Sequence, residues 1–387
     1  MEVIMRRFFL VFSLFTLFSV GLLSAQTSIA GLQPKDARTM GMGGSFRVFS
    51  EGYAALSGNP AGFAGRGTLT LGDIASWVYF KPTPLNIKQA LDLANSQLDI
   101  TESSAFFESL VADNGFGGGA SLGLGWTGKG FGIGLTAISD SVAEGSTLDT
   151  AVFTTRNEAN AIFGMAWPLE LGPVSFRFGA SVRGFYLLET NANGWAFNPM
   201  AANLLNGQPL LLGLGSNTLR GGFGMALDTG ATLSFGPLSL GIMVRDYGYR
   251  FSMQESTLDE MITNYTVPLG GEEFFKLAPQ YSAGLALRFN QTGPAATSLY
   301  FEADDPMSLI PLISSNIEAI PSQLHIGAEL DLLRFIFLRA GFNKGLLSLG
   351  AGIDFALIEV DAAVFSEPLG AGGKTRTGIA LQGAIRF

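Results

Sequence analysis

Along much of the chain, bulky apolar residues alternate with small or charged ones, the two-residue period of a β-strand. From Tyr281 to Phe289 the odd positions are mostly bulky and apolar and the even ones small or charged. Leu238, Leu240, Ile242 and Val244 alternate with Ser239, Gly241, Met243 and Arg245. Leu324, Ile326, Ala328 and Leu330 alternate with His325, Gly327, Glu329 and Asp331, and Ile358, Val360, Ala362 and Val364 with Leu357, Glu359, Asp361 and Ala363. A soluble sandwich also alternates, but its polar face carries Lys and Glu for water. Here the second face is largely Gly, Ala and Ser with single charges, which suits a crowded barrel interior. About fourteen such strands are predicted, and an even number closes an antiparallel barrel with both chain ends on one side. They fall near 68–80, 117–127, 130–139, 157–168, 173–188, 219–235, 238–252, 276–289, 297–304, 322–331, 334–343, 346–354, 357–366 and 376–387. The expected fold class is all-β, a transmembrane antiparallel β-barrel.

Loop lengths test this independently. Connections after even-numbered strands are short: Gly128-Lys129, Glu170-Leu171-Gly172, Gly236-Pro237, Asn290 to Ala296, Leu332-Leu333 and Phe355-Ala356. Those after odd-numbered strands are long: 81–116, 140–156, 189–218, 253–275, 305–321 and 367–375. The Asn343-Lys344-Gly345 hairpin is the exception. Short turns on one side and long loops on the other are the outer-membrane barrel pattern. In the first long loop, residues 85–112 read as a helical hairpin, with Ile87, Leu91, Ala94 and Leu98, then Phe106, Leu110 and Val111, at helical spacing.

Composition agrees. The chain is 47% hydrophobic and only 14% charged, with 51 Gly and 32 Phe; soluble domains carry about 25% charged residues. No stretch after the amino terminus is long and apolar enough for a membrane helix, so lipid contact falls to strands. At the amino terminus, Arg6 and Arg7 precede an apolar run from Phe8 to Leu23 and a Leu23-Ser24-Ala25 cleavage site. Residues 1–25 are therefore expected to be a secretory signal peptide. The last strand places Ile379, Leu381, Gly383, Ile385 and Phe387 on one face, and a terminal aromatic at Phe387 resembles the sorting signal read by the barrel-assembly machinery. These signals point to the bacterial outer membrane, with outer-membrane lipid as the surrounding partner.

Other chemistry is thin. Zero Cys removes disulfides and thiolate metal sites, and a net charge of −9 leaves no basic footprint for nucleic acid. No metal, cofactor or enzyme activity is expected. The single His325 has no nucleophile tied to it in the sequence and reads as a hydrogen-bonded lumenal residue. Gly372-Gly373-Lys374-Thr375 imitates a phosphate loop, but Pro368 replaces the first required glycine and no helix pattern follows. The glycines near 115–125 continue as strand rather than as a dinucleotide fingerprint. Strand charges at Arg177, Arg183, Asp228, Arg245, Arg288, Glu302, Glu329, Asp331, Arg339, Asp354, Glu359 and Asp361 should face the lumen, because each would cost about 2–4 kcal/mol in mid-membrane as Arg or Lys.

The block Asp36-Ala37-Arg38-Thr39-Met40-Gly41-Met42-Gly43-Gly44-Ser45-Phe46, followed by Asn59-Pro60-Ala61-Gly62-Phe63-Ala64, resembles the amino-terminal signature of FadL-type outer-membrane transporters. That superfamily includes fatty-acid and aromatic-hydrocarbon channels and PorV-type secretion proteins; Ser45 stands where it usually has Ala. The resemblance implies a fourteen-stranded barrel over 67–387 whose segment 26–66 folds inward as a plug. In that segment Gly41, Gly43, Gly44, Asn59, Pro60, Ala61 and Gly62 act as a gate, as a structural fastening, or as both. It also implies capture of a hydrophobic small molecule at the outer surface and sideways release through the wall. Loop residues Phe197, Leu204, Leu205, Leu211, Leu212, Leu309, Ile310 and Ile313 suit such capture, since exposed apolar loops need cover from each other or from a ligand. Long-chain fatty acids are the default substrate class; the alternative is a PorV-like secretion accessory or a structural outer-membrane protein with a protein partner, such as a secretion system.

Overall fold

The computed structural model describes residues 27–95, 100–369 and 374–387. Residues 1–25, expected to be a signal peptide, and the Gly372-Gly373 pair lie outside the described residues. Among those described, fourteen antiparallel strands close a barrel. In chain order they are β1 (Thr68–Tyr79), β2 (Phe116–Gly128), β3 (Phe131–Glu144), β4 (Val152–Leu171), β5 (Val174–Thr190) and β6 (Thr218–Phe235). Next come β7 (Leu238–Gly248, resuming as Phe251–Thr257) and β8 (Glu273–Ala278, resuming as Gln280–Phe289). The last six are β9 (Ala295–Ala303), β10 (Leu324–Leu332), β11 (Ile336–Asn343), β12 (Leu346–Phe355), β13 (Ile358–Leu369) and β14 (Lys374–Arg386). Each pairs with the next, and β14 pairs with β1, Leu381 opposite Ser76, to close the ring. All fourteen expected strands are present. No helix among the described residues is long and apolar enough to cross a membrane.

Burial follows the alternation. In β3, Phe131, Ile133 and Leu135 are exposed on the outside while Gly132 and Gly134 are buried. Ile74, Val78, Leu122 and Phe163 join this apolar outer face. Exposed aromatics collect at the turn side, among them Trp167, Phe235, Phe289, Phe355 and Phe387, and Phe335 stacks on Phe355. An apolar band edged by aromatics is a lipid-facing wall. Its free energy comes from lipid contact outside and packing inside, so the wall is apolar where a soluble protein is polar.

The turns have the chemistry their geometry demands. Gly236 takes a left-handed φ of +56° before Pro237, and Leu333 and Arg334 both have positive φ at the β10–β11 turn, the twist-matched hairpin form. Strand lengths are unequal around the ring. β4, β5 and β6 have 20, 17 and 18 residues, whereas β9, β10 and β11 have 9, 9 and 8. The long-loop rim is therefore tall on one side and low on the other.

The lumen is filled by the N-terminal segment. Thr27–Ala30 forms a short strand parallel to Phe275–Ala278 of β8, which the glycine-broken sequence gave no reason to expect. Above Ala283, β8 has no pairing with β9, and its free edge takes up these four residues. The chain then runs through helix α1 (Ala37–Gly41), capped by Asp36, whose carboxylate accepts from the Thr39 N–H at 2.8 Å. Three 3-10 turns follow at Arg47–Phe49, Gly52–Leu56 and Pro60–Ala64.

Candidate functional site

Inward-facing glycines of the wall provide the seat for this segment. A Cβ on Gly341 would stand 2.2 Å from the Met42 carbonyl carbon, and one on Gly179 would stand 2.3 Å from that of Pro60. Phe63 lies across Gly132 and Gly164, and Leu56 across Gly125 and Gly134. These positions alternate with lipid-facing Leu, Ile and Phe. The small-residue face noted in the sequence is thus a packing surface for backbone and aromatic rings.

The motif residues make the close contacts. Gly43 and Gly44 have φ of +71° and +81°, a conformation that favours glycine. Gly43 lies against the Phe342 backbone, Gly44 against the His325 ring and Gly41 against Gly350. Ser45 is fully buried and its hydroxyl donates to Met42 O at 2.7 Å. Asn59 fastens the second half: its Oδ1 accepts from Ala61 N–H at 2.9 Å, and its Nδ2 donates to Val48 O at 2.8 Å and Ile242 O at 3.3 Å. Pro60 starts the 3-10 turn and Gly62 packs on the Ser50 carbonyl.

Charges on the wall form three clusters around the segment. Arg183 is buried with Glu158 at 2.8 Å, Asp228 at 3.2 Å and Asp246. Arg245 beside it donates to Leu32 O at 3.2 Å, and its Nε lies 3.7 Å from Asp246 Oδ1, an ion pair without a hydrogen bond. A second cluster runs from Arg38 to Glu329 (2.7 Å), Arg339 (2.7 Å) and Asp361 (2.5 Å). A third joins Lys35 and Arg376 at Glu367. Elsewhere, Arg386 pairs with Asp73 at 2.5 Å and with Glu359, and Glu302 accepts from Phe46 N–H at 2.7 Å. Asp331 and Asp354 are half-buried on the inner face near the turn side, Asp354 opposite Glu359, and Asp331 Oδ1 has no partner among the described residues. Arg177 and Arg288 both reach Glu51. Burial, then the charge of Asp73, pushes the Tyr53 phenol of the segment up.

The single histidine joins segment and rim. His325 Nδ1 lies 2.7 Å from Gly43 O, which can only accept, so this nitrogen donates. Its Nε2 lies 2.8 Å from Asp304 Oδ2, which Lys344 also reaches at 3.2 Å.

On the tall side, α3 (Ile100–Asp113) packs on α4 (Asn198–Leu205) to form a lid, with α2 (Pro84–Ala94) beside it. Phe107, Val111, Leu148, Phe197, Met200 and Leu214 make its core, with Leu205 against it. Phe197 is therefore inside the lid. Leu204, Leu211, Leu212 and Ile310 are exposed, and Leu309 is half-buried. Leu309 and Ile310 sit on a separate helix (Pro306–Ser315), away from the α4 group in the chain; the Ile313 side chain lies outside those described. Phe185, Leu187, Phe251, Met253, Phe275 and Leu277 form a second buried apolar cluster on the inner wall, and Ile29 of the N-terminal strand packs against it. This cluster had no sequence signal, because its residues come from several strands and alternate like any others.

No known family profile and no curated protein matches the chain. Among solved structures it is similar to the toluene transporter TodX of Pseudomonas putida, at 14% identity over 93% of this chain and 99% of that one, with a TM-score of 0.46. It is also similar to the toluene transporter TbuX of Ralstonia pickettii, at 14% identity over 92% and 98%, with a TM-score of 0.48. A Pseudomonas aeruginosa FadL homologue gives 11% identity over 95% and 99%, with a TM-score of 0.42. The chain resembles FadL-type channels along most of its length.

Proposed function

We propose that this protein is a bacterial outer-membrane uptake channel for hydrophobic small molecules, long-chain fatty acids being the default class, with the N-terminal segment as its gate. The observation that carries this reading is the buried apolar cluster of Phe185, Phe251 and Phe275 on the inner wall, covered by Ile29 of the N-terminal segment. An apolar patch covered by only four strand residues is one a ligand can take up when those residues leave. Exposed Leu204, Leu211, Leu212 and Ile310 above it supply first contact. Below, the polar and charged lumen disfavours an apolar solute, so release is sideways into the membrane. Reconstituted barrel in liposomes takes up labelled fatty acid on this reading; absence of both uptake and binding would sink it.

One feature favours a protein partner instead. Helix α2 exposes Leu85, Ile87 and Leu91 on the outer side, a surface a PorV-like accessory would use. A stable partner in detergent pull-downs, lost in L85S/L91S, with no bound lipid-like ligand, would replace the transport reading. Assembly is assigned to the barrel-assembly machinery through Phe387, whose backbone N–H and C=O both pair with Leu69 at the closing seam.

A further inference from the structure

Among the described residues, two of the lumenal cavities are polar and of different chemistry. One, of about 250 Å³, lies between the segment and the walls of β1–β3 and β13–β14 and carries Asp36, Asp73, Glu359 and Asp361 against Arg38 and Arg386. The other, of about 230 Å³, lies at the turn side and carries Arg177 from β5 and Arg288 from β8 against Glu51. Both Nη1 atoms converge on one atom, Glu51 Oε1, each at 3.5 Å, the outer limit of a hydrogen bond. Glu51 is half-exposed. Arg288 is also held by Tyr300. Ser175, Thr232 and Gln291 line the same space, the Gln291 amide donating to Phe289 O at 3.1 Å and Thr297 O at 3.4 Å. Glu170, at the β4–β5 turn, is the other carboxylate near by and takes the Ser175 hydroxyl at 2.8 Å.

We infer that the turn-side cavity is a binding site for a small free oxyanion, a carboxylate or phosphate, which competes with Glu51 for the two arginines. Two guanidiniums at stretched distance from one carboxylate oxygen leave donor capacity unused, and charge-assisted bonds to an oxyanion are shorter and stronger. The Thr232 hydroxyl on the same lining supplies a further donor. Glu51 also lines the first cavity, so its displacement joins the two. Gly52, the first residue of the 3-10 turn that Glu51 precedes, has a φ of +60° and open space where a Cβ would stand, which leaves Glu51 room to swing. An anion on the turn side thereby releases one of the segment's ties to the wall.

The test is calorimetric titration of the full-length protein in detergent with inorganic phosphate and, separately, with succinate. Saturable binding of either probe is expected, and which of the two binds assigns the oxyanion class. Replacing Arg177→Gln or Arg288→Gln should weaken it roughly tenfold or more, the loss of one charge-assisted bond. Glu51→Gln should tighten it, because the competing carboxylate is gone. Heat-modifiable gel mobility reports that each barrel is folded, and a misfolded barrel cannot produce opposite shifts from neighbouring substitutions. No saturable binding of either probe to wild type and Glu51→Gln alike, or binding indifferent to Arg177→Gln and Arg288→Gln, overturns the proposal.

Discussion

Gly341 faces Met42 at a distance that no side chain can share, so Gly341→Ala tests the seating of the N-terminal segment without touching the lipid face. Overpacking of this kind costs about 1–3 kcal/mol. The expected outcome is a folded barrel with ordinary heat-modifiable mobility but faster proteolytic cleavage between residues 35 and 50; unchanged cleavage would mean the segment is held elsewhere. Arg183 makes a second residue-scale case. It reaches Glu158, Asp228 and Asp246 together, and removing one member of a buried cluster costs about 3–5 kcal/mol. Arg183→Met should lower the midpoint of denaturant unfolding accordingly, and an unchanged midpoint refutes the cluster's structural weight. Period-two parity placed Arg183 and Arg339 inside, but it could not pair them. Partners depend on register between strands far apart in the chain. Asp246 was invisible for a different reason: its φ of +63° interrupts the alternation, so that it and Arg245 both turn inward.

At the scale of elements, alternation and loop length were enough to locate the wall, because each lipid-facing position is constrained by the same solvent. The segment 27–66 was not legible in this way. Its glycine-rich sequence fits only a surface that is itself glycine-lined, and that surface exists only after the barrel has closed. The outer loops add one element whose stability is local. Helix α5 (Leu258–Asn264) has no buried residues and begins with a capping box between Thr257 and Glu260. Hydrogen bonds from the Thr257 backbone and from the Ser256 and Thr257 side chains hold the Glu260 carboxyl below its usual value. A lowered carboxyl contributes stability above its ordinary range and loses it as pH falls through the folded value. Hydrogen exchange in 258–264, corrected for intrinsic rates, should therefore rise on acidification below about pH 4. Thr257→Ala should produce the same rise, severalfold, at neutral pH. A pH-independent profile in both proteins would show that the box does not hold the helix.

For the whole molecule, the division between lipid outside and charge inside predicts a sided response to the same substitution. Leu135→Arg places a guanidinium on the exposed outer face and should cost about 2–4 kcal/mol near mid-membrane. Thr136→Arg, one residue on, faces the lumen, where its cost is steric. Unfolding from vesicles of different thickness should separate the two, since only the first depends on the bilayer; identical dependence would contradict the assigned faces. The enclosed N-terminal segment also constrains the order of events in assembly. Its contacts with the wall span 126 residues from Leu32 to Glu158 and 332 from Lys35 to Glu367, and the ring is completed by the pairing of the first strand with the last. Contacts of such separation form late and slowly. The earliest part of the chain must therefore wait, unfixed, for the latest, and be enclosed as the seam shuts. Time-resolved assembly should find protease protection of residues 35–50 and resistance of the β1–β14 seam to detergent unfolding arising in one kinetic step.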